Sequence, residues 1–176
     1  GFTKPDGYNS SQQLVVYCHS SGDNAGRYST ASVVGSNIEF DGDWTGQDII
    51  VGYLYEMEVE LPKIYVQQVE GKSVRSDTHA SLVLHRLNFS FGSVGVIDTT
   101  LKRKGRPDYS KTYESLEWDT FSLNTVGIAD DYIHTIPVYE KNTNLNVHLK
   151  SSHPAPATLY SMTWEGDYNP KFYRRV

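Results

Sequence analysis

Cysteine is nearly missing from this chain. Cys18 is the single one in 176 residues, which excludes an internal disulfide and a cluster of thiolate metal ligands. One thiol fits synthesis in a reducing cytoplasm. Methionine and alanine are also scarce, so two of the residues that helices favour are in short supply. No run approaches the ~20 apolar residues of a membrane helix, and no basic start leading into an apolar core marks a secretory signal. The Gly-x-Ser-x-Gly elbow and the phosphate-cradling glycine loop are both absent, which leaves nucleophilic and nucleotide chemistry without an anchor. Excess positive charge is lacking too. A net charge of -5 argues against a nucleic-acid-binding module. The two basic stretches, Lys102-Arg103-Lys104-Gly-Arg106 and Lys171 to Arg175, are not interleaved with the stacking aromatics of a single-strand binder.

The deficit in apolar residues, 38% of the chain, is filled by Ser, Thr, Asn and thirteen tyrosines, with fourteen glycines between them. That is the vocabulary of strands and turns. A chain of this length most simply forms one domain, 1–176, and can bury roughly 70% of its unfolded surface without staples. Period-two alternation recurs throughout and predicts an all-β, antiparallel β-sandwich or jelly-roll-like fold. Leu14–Cys18, Tyr28–Val34 and Asn37–Phe40 read as strands, with 42–52 as a loop. In Tyr53 to Leu61, the residues Tyr53, Tyr55, Met57, Val59 and Leu61 share one face, and Glu56, Glu58 and Glu60 share a wet one. Pro62 interrupts, and 63–67 resumes the strand as an edge or a bulge.

Ala80 to Phe91 reads as a buried strand with Val83, His85, Leu87, Phe89 and Phe91 on one face. Gly92 and Gly95 suggest a hairpin into Val94 to Leu101. Thr112 to Trp118 is expected to cross back as a strand. Further strands fall at Ile128 to Tyr139 and at Leu145, Val147 and Leu149. After a rigid turn over 151–156 comes a last strand with Thr158, Tyr160, Met162 and Trp164 on one face. It is expected to stop at Trp164-Glu165-Gly166-Asp167-Tyr168, read as a closing turn. Trp164 would then be a packing anchor.

Candidate chemistry is thin. Asp41-Gly-Asp43-Trp-Thr45-Gly46-Gln-Asp48 imitates a calcium loop, but Gly52 stands where the bidentate carboxylate belongs. The histidine spacings, His79 with His85 and His148 with His153, do not bring two imidazoles to one metal. Cys18 and His19 point to opposite faces of a strand. Glu56, Glu58 and Glu60 read as a solvated face in preference to glycosidase acids. No catalytic residue, cofactor or metal is expected. The aromatics offer more: Trp44, Trp118 and Trp164 could stack sugars, as in a carbohydrate-binding β-sandwich. The same residues would serve as anchors of a protein interface, and the sequence leaves both uses open.

The ending, Trp164-Glu-Gly-Asp-Tyr168 followed by Arg174-Arg175, resembles the close of the tail tubular, or nozzle, proteins of short-tailed, T7-like phages (the tail tubular protein B type). Val51-Gly52-Tyr53-Leu-Tyr55 is similar to that family's entry to its carboxyl-terminal domain, and Leu61-Pro-Lys-Ile-Tyr-Val66 to the strand that follows. Leu84-His-Arg-Leu-Asn-Phe89 and Ile133-His-Thr-Ile-Pro-Val138 continue the ordered likeness, which covers 51–176. Residues 1–50 would be an adjoining piece, and the start at Gly1-Phe2 reads as a fragment of a larger protein. The resemblance implies a virion protein without catalytic residues, made in the host cytoplasm. It would form a six-fold ring with adaptor and fibre neighbours around a conduit through which DNA passes without specific binding. An acidic balance would keep DNA from sticking to such a lining. Trp164, Tyr168, Arg174 and Arg175 are the candidate interface residues.

Overall fold

β-branched and aromatic residues at alternate positions, cut by glycine and proline, favour strands. The computed structural model describes residues 2–19, 24–114, 128 and 131–170, and shows strands with one 3-10 turn at Asn142–Asn144. Trp118, Arg174 and Arg175 lie outside the described residues. β1 (Phe2–Thr3), β2 (Leu14–Cys18), β3 (Tyr28–Val34), β4 (Asn37–Phe40) and β5 (Ile49–Tyr53) form a sheet of order β1-β4-β3-β2-β5. Next come β6 (Met57–Leu61) and a two-stranded ribbon, β7 (Gln67–Glu70) with β8 (Ser73–Ser76). β9 (Ser81–Val94), β12 (Tyr132–Lys141) and β14 (Ala157–Asn169) form a sheet of order β12-β9-β14. β10 (Val96–Arg103), β11 (Tyr109–Glu114) and β13 (Leu145–Ser151) join β6 in the order β11-β10-β13-β6.

All described pairings are antiparallel. Leu87, Phe89 and Phe91 of β9 share one core with Leu101 of β10 and with Val147 and Leu149 of β13. The three- and four-stranded sheets therefore face each other as a sandwich, and each buried Leu or Phe contributes about 1.5–3 kcal/mol. A second cluster (Leu14, Val16, Cys18, Ala31, Ile38 and Trp44) lies under the first sheet.

The all-β expectation holds, and β2, β3, β4 and β13 fall where alternation puts them. Several local readings fail. Tyr53 to Leu61 is two strands, because the chain leaves the first sheet at Tyr53 and enters the sandwich at Met57. The 42–52 loop gives way to β5 from Ile49. Residues 62–66 are irregular and pack Ile64 and Val66 on the sandwich core, while the Lys63 ammonium donates to the Thr143 and Leu145 carbonyls. Finally, β9 and β10 do not pair as a hairpin. The chain changes sheets at Gly95, whose N–H is held by the Pro156 carbonyl at 3.0 Å.

Candidate interface

The last strand does not stop at its Trp-Glu-Gly-Asp-Tyr segment. β14 runs through it to Asn169, paired with β9. The register gives Glu165↔Arg86 and then Gly166↔Leu84, so His85 has no partner on β14 and β9 bulges there. On the other side, β12 bulges at the same level, between Pro137 and Glu140, with Tyr139 at φ +47°. A bulge shifts side-chain phase by one residue. Leu82 and Leu84 accordingly point into the same core as Leu87, Phe89 and Phe91, and the single-face reading of this strand is corrected. A second shift, between Leu159 and Ser161, turns Thr158 and Tyr160 outward while Leu159, Met162 and Trp164 pack inward.

Gly166 is in the strand because nothing larger fits. A methyl there would run into the Val83 carbonyl oxygen and stand 3.1 Å from Leu84 Cα. Around it, Glu165 pairs with Arg86 Nε at 3.2 Å, and Asp167 with His85 Nε2 at 3.1 Å, where the His85 ring stacks on Tyr139. His85 is therefore a half-exposed bulge residue and not a core histidine. His134 is the buried one, held neutral by burial and by Lys111. The Tyr168 hydroxyl donates to Asp77 Oδ2 (2.7 Å) and accepts from Gln68 Nε2 (3.0 Å). Asp77 Oδ1 accepts from the His79 and Ala80 N–H groups, and these bonds, led by the one from Tyr168, hold its carboxyl below the usual range. Tyr168 thus fastens the β7–β8 ribbon, on which Val69 and Val74 are paired and exposed.

Between the two cores lies an apolar cleft of about 610 Å³. Val15, Tyr17 and Ile50 line it from the first sheet, and His153 and Pro154 from the turn before β14. The Tyr28 hydroxyl and His153 Nδ1 meet at 3.1 Å beside it. The cleft was not read from the sequence, although the run Leu14-Val-Val-Tyr carried its signal. Both faces of β2 are apolar, and a strand buried on one side only would alternate.

Residues 2–175 match the bacteriophage nozzle protein family. The chain belongs to that family. No curated protein matches it. As a nozzle-family protein it is a viral structural component of the phage tail, placed in the virion and assembled with other tail parts. The match includes the first sheet as well as the sandwich.

The remaining candidates take ordinary places in this nozzle-family fold. Trp164 is half-buried against the sandwich core. Trp44 is 7% exposed, 5.0 Å from Phe40 between ring centroids, and cannot stack a sugar from there. Glu56 pairs with Lys150 at 2.8 Å, and Glu58 and Glu60 lie beside His148 at 3.6 and 3.8 Å, so these carboxylates face neighbouring strand residues on a wet face. Asp43 Oδ1 accepts from the Thr45 N–H and hydroxyl, closing the calcium-like loop on itself. Among the described residues no group of three or more His, Cys, Asp or Glu is placed to hold a metal ion, and no helix is long and apolar enough to cross a membrane.

Proposed function

We propose that the chain is part of a nozzle protein of the T7-like tail tubular protein B kind. It builds a six-fold ring below the adaptor and around the conduit through which DNA leaves the virion. Its work is geometric, without catalysis, cofactor or specific DNA contact. The chain acts as one body within a longer protein, its two cores joined where Tyr28 meets His153. Synthesis in the host cytoplasm precedes assembly.

The observation that carries this reading is the family match along nearly the whole chain. The features around the last strand agree with it: Glu165 and Arg86, Asp167 and His85, and Tyr168 and Asp77 are paired with one another across the strands and serve to stiffen a β-scaffold. Trp164, Tyr168, Arg174 and Arg175 stay in the proposal as subunit contacts, with Tyr168 acting through the ribbon it holds. The sugar-binding alternative loses support from the burial of Trp44. Electron microscopy of the intact nozzle protein containing this chain tests the reading. Closed rings with an axial channel are expected; a monomer or an open filament at assembly concentrations refutes it.

A further inference from the structure

The chain's charge is divided unevenly. Residues 1–54 hold two cations against six carboxylates, a balance of -4 out of the chain's -5. Beside the buried Trp44, a groove of about 560 Å³ is lined by Phe2, Glu39, Phe40, Asp43 and Trp44, and Asp41 adjoins it. Among the described residues no ion pair joins Glu39, Asp41 or Asp43 to a cation. Phe2 and Phe40 are in ring contact, 5.8 Å apart, and give the groove an aromatic floor beside its carboxylates.

The opposite charge sits at the end of the β10–β11 hairpin. Lys102 and Lys104 are exposed there, and Arg103 stretches over Tyr109 and donates to the Pro107 carbonyl. The buried Nε of Arg103 has no partner. Lys63 joins these groups around a recess of about 310 Å³.

We propose that this basic hairpin tip docks into the acidic, aromatic groove of a second copy of the chain, as a head-to-tail contact. Charge complementarity carries the choice of occupant, since the groove offers carboxylates and ring faces, the two partners that lysine and arginine take. The tip suits a protein better than a duplex. Asp108 lines its recess and Glu140 lies 3.7 Å from Arg106, and both would repel phosphates. The tip itself offers no exposed ring for base stacking. The inference rests on self-assembly as proposed above and adds which surfaces meet.

Sedimentation of the full chain at rising salt tests it, using Lys102→Glu with Lys104→Glu as one variant and Glu39→Lys with Asp41→Lys as the other. Wild type should self-associate, and weaken as the Debye length shrinks from about 20 Å toward 8 Å. Each variant alone should associate at least ~10-fold more weakly, because two attractive pairs become repulsive. An equimolar mixture of the two variants should recover association, since each then offers the other a complementary pair. Unchanged association in both variants, no rescue on mixing, or a wild type that stays monomeric at low salt overturns the docking. None of these results forbids a ring built through other surfaces, which the microscopy reads separately. Loss of duplex binding in the Lys102→Glu and Lys104→Glu variant, with association intact, would replace the protein partner by DNA.

Discussion

Replacing Gly166 with alanine should cost this protein about 2 kcal/mol, although the change adds only a methyl group to an exposed edge strand. The added carbon would overlap the Val83 carbonyl oxygen and approach both Leu84 Cα and the Val83 carbonyl carbon at 3.1 Å. All three are backbone atoms, so no rotamer change can relieve them. Either β14 moves away from β9 or the bulge at His85 is remodelled. Moving apart weakens ladder hydrogen bonds worth about 0.5–1.5 kcal/mol each, and overpacking of this kind costs about 1–3 kcal/mol. Against that stands the smaller entropy of the unfolded chain, which favours alanine by about 0.4–1 kcal/mol. The strain wins, and for a chain of this size the midpoint of thermal unfolding should fall by about 4–8 °C.

Two other glycines make the comparison decisive. A methyl at Gly52 meets nothing within 4 Å, so Gly52→Ala should be neutral or slightly stabilising through the same unfolded-state term. At Gly92 the obstacle is the Tyr160 ring, with its hydroxyl 2.6 Å away, and that side chain is 65% exposed and free to swing out. Gly92→Ala should therefore cost under about 1 kcal/mol. Urea titrations followed by far-ultraviolet circular dichroism rank the three. If Gly166→Ala unfolds with wild type, or if Gly52→Ala is equally damaging, backbone approach is not the reason for the glycine.

Tyr168→Phe removes the hydroxyl shared with Asp77 and Gln68, so amide exchange over 67–76 should accelerate severalfold while β9 amides keep their protection. A two-stranded ribbon is marginal without such a tie, and equal protection in the variant would mean that something else holds it. His134 is neutral in the fold because burial and Lys111 depress its pKa. Below pH ~6.5 the unfolded chain takes up a proton that the folded one resists, so stability should fall with acidification, and His134→Phe should lessen that fall in denaturant titrations on either side of that pH. Trp44→Ala empties a site between Phe40 and the core under the first sheet and should destabilise by about 3–5 kcal/mol. Any glycan binding should be unchanged once the variant is kept below its unfolding midpoint; a selective loss of sugar affinity would revive the platform reading.

How far the sequence could be read depended on whether the deciding contact was local. β13 is legible because Leu145, Val147 and Leu149 alternate with polar residues without interruption. β9 misleads because apolar residues occupy both phases: Val83 and Leu87 suggest one face, Leu82 and Leu84 the other, and only the unpaired His85 reveals where the phase changes. Gly92 and Gly95 look the same before a hairpin as before a change of sheet, and what separates the two is a distant carbonyl, that of Pro156. The same distinction applies to the interface candidates. Trp164 reads as a packing anchor from its residue type and does pack on the sandwich core, whereas the role of Tyr168 depends on Asp77, which is far away in sequence.

Gly166 shows why such an error has a physical source. A glycine among polar residues is the usual mark of a turn, because turns need its positive φ. Glycine is also required where two backbones approach closely, and a strand interior then hides the reason in its partner. Gly166 is of the second kind: the positive-φ glycines in this chain lie elsewhere, and its constraint comes from Val83 and Leu84. The segment Trp164-Glu165-Gly166-Asp167-Tyr168 is therefore a strand fitted to a bulge. Trp164 faces the core, while Glu165 and Asp167 reach back to Arg86 and His85 on either side of the irregularity. Its residue types follow from pairing with β9, which is why a motif at one end of the chain depends on a strand that begins at Ser81.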